Sequence, residues 1–308
     1  MQKILVIGSS NTDMVVNVPR IPKPGETIIG GKFLLAAGGK GANQAVTAAR
    51  TGGNVTFVSK VGKDSFGQQS VNGYRNDDIN TEYILFDEQE PTGVALIYVS
   101  ADGENSIAVA SGANMNISPD DIKNISSLIS ESNYLLMQLE IPLSTVKAAA
   151  IAAHNSNKKV ILNPAPAQFL DDELLGCISI ITPNESEAEI LTGIKINTDK
   201  DIADAADFLL AKGIETVIIT LGARGIYLAT NNLKEFIPSF KVKSVDTTAA
   251  GDVFNGAFVT ALSENKSLID AAIFGNAASA LSVTKAGAQP SIPTREEIDE
   301  FLKLNKQE

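Results

Sequence analysis

The sequence predicts an α/β fold: a mostly parallel central sheet, helices on both faces, and a small β-sheet lid. Three observations predict it. Short β-branched runs alternate with helix-length runs along most of the 308 residues, the pattern of a parallel sheet wrapped by helices. Two segments, about 12–36 and 92–111, interrupt that alternation with short apolar pieces divided by Pro and Gly. Two such insertions can pair into a separate sheet that covers a site. The 44% hydrophobic content supplies a substantial core, so the whole of 1–308 reads as one large α/β domain with the lid inserted.

The elements follow in order. KILVIG (3–8) is short, β-branched and ended by Gly, a buried strand. DMVVNVPRIPKPGETIIGGKFLLA gives the first lid pieces, and AAGGKGANQA turns into a helix. NVTFVSKVG is a strand and DSFGQQSVNGYRN a helix. TGVALIYVS and NSIAVAS flank the turn ADGE, a hairpin that completes the lid. Then come the pairs YLLMQLE with PLSTVKAAAIAAHN, KVILNPAP with a short helix, and ISIITPN with ESEAEILTG. DIADAADFLLAKG precedes the strand TVIITLG, and GIYLATNNLKEFIPSF is β-rich. The strand-like FKVKSV leads through DTTAAGD into AGDVFNGAFVTALSEN, and SLIDAAIFGNAASALSVTKAG closes the helical run.

Composition excludes several chemistries. The net charge of −11 and the lack of a basic tract argue against nucleic acid. One cysteine, Cys177, forbids an intramolecular disulfide and reads as a small buried apolar residue. One histidine, His154, reads as a helix-end residue and leaves no His/Cys zinc set. The opening apolar run is about five residues, short of the roughly seven to fifteen of a signal peptide, and nothing approaches a membrane span. A cytoplasmic protein is expected.

In sheets of this kind ligands collect at the carboxyl ends of the strands, so the strand-to-helix junctions are searched for chemistry. Asn11 and Asp13 follow the first strand two apart and share a face in extended chain. An amide and a carboxylate there can hold vicinal hydroxyls, or cap a turn. The loop with Gly38, Gly39, Lys40 and Gly41 resembles a phosphate loop. It lacks the Ser or Thr that a Walker motif places on Mg²⁺. Its glycines let a ligand approach, and Asn43 and Gln44 are poor choices for a helix interior. DTTAAGD sets the small residues Ala249, Ala250 and Gly251 at a helix start, whose dipole favours anions. Asp252 in that first turn is expected to be ionised and fit to take a proton from a hydroxyl. Asn184 and Glu187, three apart at another helix start, either cap it or orient a hydrated Mg²⁺. TLGARG (220–225) and Glu140 are further strand-end positions.

GSSNTDMVV, AAGGKGANQA, TPNESE, TLGARG, DTTAAGDVFNGAF and AGAQPSIP occur in this order along essentially the whole chain. Together they resemble the ribokinase / phosphofructokinase-B family of carbohydrate kinases. The resemblance implies a three-layer α/β sandwich with a β lid, and ATP-dependent phosphorylation of a sugar, D-ribose at its 5-hydroxyl. It implies Asn11, Asp13, Gly39, Lys40, Gly41, Asn43 and Glu140 around the sugar, and Asp252 as the base. Ala249, Ala250 and Gly251 would form the anion hole, with A-A-G-D where the family usually has G-A-G-D. ATP would lie along Asn184, Thr220, Gly222, Gly225 and Asn276, with Glu187 orienting Mg²⁺. K⁺ would bind at Asp246, Thr248, Ser282, Lys285, Gly287 and Ser291. A homodimer through the lids is implied too, as are no nucleic-acid and no membrane partner. Deoxyribose, another sugar or a nucleoside are the alternative substrates, and a sugar or nucleotide sensor without catalysis is the rival of another class.

Overall fold

The computed structural model, which describes residues 1–29, 31–102 and 104–305, begins with β1 (Lys3–Ile7), buried from its second residue on. Then come β2 (Asn11–Val18), β3 (Phe33–Gly38), α1 (Lys40–Arg50), β4 (Asn54–Gly62), α2 (Ser65–Asn76), β5 (Ile84–Asp87), β6 (Gly93–Ser100) and β7 (Asn105–Ala110). The middle of the chain forms α3 (Pro119–Asn124), α4 (Ser126–Glu131), β8 (Tyr134–Met137), α5 (Leu143–Asn155), β9 (Lys159–Leu162), α6 (Asp172–Leu175), β10 (Ile180–Ile181) and α7 (Glu185–Thr192). The last third forms α8 (Asp199–Ala211), β11 (Thr216–Thr220), β12 (Ile226–Thr230), β13 (Lys234–Ile237), α9 (Ala250–Ser263), α10 (Leu268–Ser282) and α11 (Arg295–Asn305).

Nine strands form one sheet in the order β13-β12-β11-β10-β9-β8-β1-β4-β5. Pairing is parallel from β5 through to β11. β12 and β13 add an antiparallel hairpin at one edge. Successive side chains of a strand point to opposite faces, and the core divides accordingly. Val6, Leu136, Ile161 and Ile218 pack with Phe254, Phe258 and Ala277 of α9 and α10. Leu5, Leu135, Val160 and Val217 pack with Ala149 of α5 and Leu209 of α8. Such strands, covered on both faces, read as continuous apolar runs, which is why they stand out in the sequence.

The two interruptions of the alternation meet as expected in a four-stranded sheet, β3-β2-β6-β7. β2 pairs antiparallel with β3 and parallel with β6, so Asn11 lies between Gly38 and Gly93. The turn ADGE includes Gly103, which lies outside the described residues; beside it the Ser100 amide donates to the Glu104 carbonyl at 2.9 Å. The lid exposes Leu34, Leu35, Leu96, Ile107 and Val109 by about half. FKVKSV departs from expectation: residues 240–245 form no strand. The segment does not join the outer edge of β13, where the sheet ends; its last residue turns to α10 instead, the Val245 amide donating to the Val283 carbonyl at 2.7 Å.

Candidate active site

The first junction is built from the lid base and the start of α1. Asn11 and Asp13 are both buried at the foot of β2. Asn11 Oδ1 accepts from Asn114 Nδ2 at 2.7 Å, and Asn114 Oδ1 accepts from the Ser10 amide at 2.8 Å, which fixes the Asn11 side chain. The three glycines of AAGGKGANQA clear space for the chain itself. A Cβ on Gly38 would overlap the Asp13 carboxyl, and one on Gly41 would strike the backbone of Gly8 and Ser9. Gly39 has φ 88°, the left-handed region open to glycine. Lys40 then starts α1. Its amide donates to Glu140 Oε2 at 3.0 Å, and the Ser9 hydroxyl donates to the same oxygen at 2.5 Å.

The charges here act on one another. Burial first, then Glu140 and Asp252, push the Asp13 carboxyl up to about 7, against the pull of Lys40. The Asp252 carboxylate, then Glu140, raise the Lys40 ammonium above its ordinary value despite burial, so Lys40 stays a cation.

The second junction is the start of α9. It lines a cleft of about 220 Å³ together with Lys40, Asn184, Glu187 and Thr220. Asp252 is buried. Its Oδ2 accepts from Asn43 Nδ2 at 3.0 Å and its Oδ1 from Gln44 Nε2 at 2.9 Å. Burial raises its carboxyl above the ordinary aspartate range, with Lys40, Asn43 and Gln44 pulling the other way. The helix start alone does not set this group: desolvation raises its carboxyl against the hydrogen bonds, the opposite direction from the one expected. Asn43 Oδ1 is buried without a partner.

The turn before α9 is strained. Ala249 adopts φ 61°, ψ 10°, a left-handed conformation that disfavours any side chain. Where G-A-G-D would have relaxed freely, A-A-G-D holds the same turn against its preference. The Ala250 amide donates to the Thr247 carbonyl at 3.2 Å, so it is partly engaged and less free than expected. Among the described residues no carbonyl or side chain accepts from the Gly251 or Asp252 amides, the open donors that a helix start offers an anion.

Asn184 and Glu187 form a capping box. The Asn184 amide donates to Glu187 Oε2 and the Glu187 amide to Asn184 Oδ1, both at 2.8 Å. Both residues line the cleft with Thr220, so the capping and site readings hold together. Burial raises the Glu187 carboxyl. Gly222, Gly225 and Asn276 do not line this cleft. A Cβ on Gly225, at φ 101°, would strike the Ile237 carbonyl, so that glycine clears β13. Asn276, buried in α10, has an Nδ2 without a partner.

Asp246 joins the two loops expected to hold K⁺. Its Oδ1 accepts from the Thr248 amide and hydroxyl at 2.9 and 2.7 Å, and its Oδ2 from the Gly287 amide at 2.8 Å. The Ser282 and Ser291 hydroxyls donate to the carbonyls of Ser279 and Ala288. The Lys285 ammonium pairs with Glu297 at 2.7 Å. Among the described residues no cluster of three His, Cys, Asp or Glu could hold a metal, and no helix is long and apolar enough to cross a membrane. Cys177 is half-buried, less than expected, and His154 is exposed near the end of α5.

Sequence reasoning missed Ser9, Asn114, Gln138, Asn163 and Asn255. Gln138 and Asn163 did carry a signal: each is the polar residue that directly follows a buried apolar strand, where α/β sheets place their sites.

A family model described as pfkB family carbohydrate kinase matches residues 1–295. A ribokinase of Haemophilus influenzae is 52% identical over 303 residues, covering 98% of this chain and 99% of that protein. A deoxyribokinase of Salmonella typhi is 37% identical over 304 residues, covering 98% and 99%. The structure of Arabidopsis thaliana ribokinase complexed with ribose and ATP superposes with a TM-score of 0.90 at 34% identity, over 98% of this chain and 99% of that one.

Proposed function

The chain belongs to the pfkB family of carbohydrate kinases, and we propose that it transfers the γ-phosphoryl group of ATP to the 5-hydroxyl of D-ribose. The observation that carries this reading is the pairing of Asp252 with Asn43: a buried carboxylate beside an amide oxygen that has no partner. A buried acceptor left unmade costs about 1–3 kcal/mol, and a sugar hydroxyl donating to Asn43 Oδ1 would satisfy it. Asn11, Asp13, Lys40 and Glu140 supply further groups for sugar hydroxyls.

Asp252 takes the proton of the attacking hydroxyl, the hydroxyl oxygen bonds to the γ-phosphorus, and the bond to the bridging β–γ oxygen breaks as ADP leaves. The open Gly251 and Asp252 amides meet the charge on the transferring group, and Lys40 adds a cation beside it. The cleft at Asn184, Glu187 and Thr220 takes the nucleotide end. Glu187 fits a hydrated Mg²⁺, which would neutralise phosphate charge. The Asp246 carboxylate, which joins the two loops, is the anionic group that would hold K⁺, which would act electrostatically on the neighbouring turn. Substrate range tests the reading: ADP release should be fastest with ribose, ahead of deoxyribose, fructose and adenosine. A faster rate with another acceptor would reassign the substrate.

The half-exposed apolar rows of the lid need covering, and we assign them to a homodimer through the lid sheets. Light scattering at micromolar protein should report twice the chain mass; a monomer would end that assignment.

A further inference from the structure

Behind Asp252 lies a circuit of buried amides. Gln44 is fully buried in α1, and it is not among the residues lining the cleft. Its Nε2 donates to Asp252 Oδ1 at 2.9 Å and to Asn163 Oδ1 at 3.1 Å, and its Oε1 accepts from Gln138 Nε2 at 2.5 Å. Asn163 Nδ2 donates to the Thr182 carbonyl at 3.2 Å, and the Thr182 hydroxyl to Asn255 Oδ1 at 2.7 Å. Asn255 Nδ2 donates to the Gly251 carbonyl at 2.8 Å, one residue before Asp252, and the circuit closes. Gln138, Asn163 and Thr182 are the residues that directly follow β8, β9 and β10.

Two glycines make room for this arrangement. A Cβ on Gly256 would strike Thr47 and the Gln44 carbonyl, so its absence lets α9 approach α1. A Cβ on Gly8 would strike Gln138 Oε1. An amide is a poor filler for the interior of a buried helix, and a buried polar network is stable only where its members satisfy one another; here Gln44, Asn163 and Asn255 each bond through both amide atoms, while Gln138 Oε1 is left without a partner. An apolar residue at 44 would pack more simply, so packing alone does not account for a glutamine.

We propose that Gln44 is a positioning residue. It sets the rotation of the Asp252 carboxylate, and through Asn163, Thr182 and Asn255 it locks that carboxylate to the Gly251 carbonyl, so that the base and the anion-holding turn move as one body. The inference rests on the reading of Asp252 as the base. With Asn43 on one carboxylate oxygen and Gln44 on the other, the plane of the group is fixed before a hydroxyl arrives. Gln44 also favours the ionised form against burial.

The test compares Gln44→Met and Gln44→Glu with the wild type in full-length protein. Three quantities are measured: the thermal midpoint, kcat and sugar KM across pH, and the titration of the Asp252 carboxyl carbon by NMR without substrate. Gln44→Met should lower kcat about ten- to a hundredfold with sugar KM close to wild type. It should move the acid limb and the carboxyl titration up by about one pH unit. Gln44→Glu sets a like charge against Asp252 and should move both further in the same direction. Should Gln44→Met not fold, Gln138→Leu removes the support of Gln44 without touching Asp252, and a smaller shift of the same sign is expected. A folded variant with wild-type kcat and an unmoved titration overturns the proposal, as does a lower thermal midpoint with no change of limb. If the wild type phosphorylates no sugar, the reading of Asp252 falls, while the carboxyl titration still decides whether Gln44 holds that group.

Discussion

Asp252→Asn should lower kcat by about a hundred- to ten-thousandfold while leaving sugar KM little changed. The carboxylate is the one buried group at the start of α9 able to accept a proton there. Both of its oxygens already accept amide hydrogens, from Asn43 and Gln44. An asparagine would set an NH₂ against one of those donors. Its oxygen can still accept from Gln44, so only the contact with Asn43 is lost, and the fold survives while the chemistry does not. Because burial raises the Asp252 carboxyl, the wild-type rate should fall on the acid side as the base becomes protonated. Turnover of Asp252→Asn within about tenfold of wild type would remove the residue from its role.

Asp13→Asn should separate stability from function. Asp13 ionises at about 7 in the folded chain against an ordinary 3.8. A raised carboxylate pKa means the folded state holds its proton longer, so stability falls as pH rises from about 4 to about 7 and levels off beyond. Keeping that group charged at pH 8 costs the fold up to about 4 kcal/mol. Asparagine removes the cost, so the thermal midpoint of Asp13→Asn should exceed wild type at pH 8 and match it near pH 4. The same change removes charge-assisted bonds to hydroxyls and should weaken ribose binding about ten- to a hundredfold. In the wild type, ribose favours the ionised form, so calorimetry near pH 6.5 should show proton release on binding. A midpoint lowered at pH 8, or tight ribose binding by the variant, would contradict this account of the site.

The sheet was legible because its strands are covered on both faces and read as unbroken apolar runs. The lid was legible because Pro and Gly punctuate it. FKVKSV shows the limit: alternation marks a chain that can be extended, and only the neighbouring edge decides whether it pairs. Asp13, Lys40 and Asp252 were legible as residue types at strand ends, and the structure brings them together. Their charge states were not, because Asp252 titrates according to its burial, which the GD motif does not contain. The glycines of AAGGKGANQA were recognised, but the chain contacts they clear were not, since Gly38 faces Asp13 and Gly41 faces Ser9 across long stretches of sequence. Gln44 stood out as a polar residue inside a helix, and its partners at 138 and 163 became visible only once strand order was known.

The foot of β2 carries Asn11 and Asp13, and its next residues, Met14–Val16, pair with the strands that carry the exposed apolar rows of the lid. One strand of eight residues, about 25 Å long, thus runs from the base of the pocket to a tip at Val18. A turn of about ten degrees at Asn11 moves the tip by about 4 Å. Under the proposed function, a contact on the lid surface and a sugar at Asn11 and Asp13 would act on the same strand.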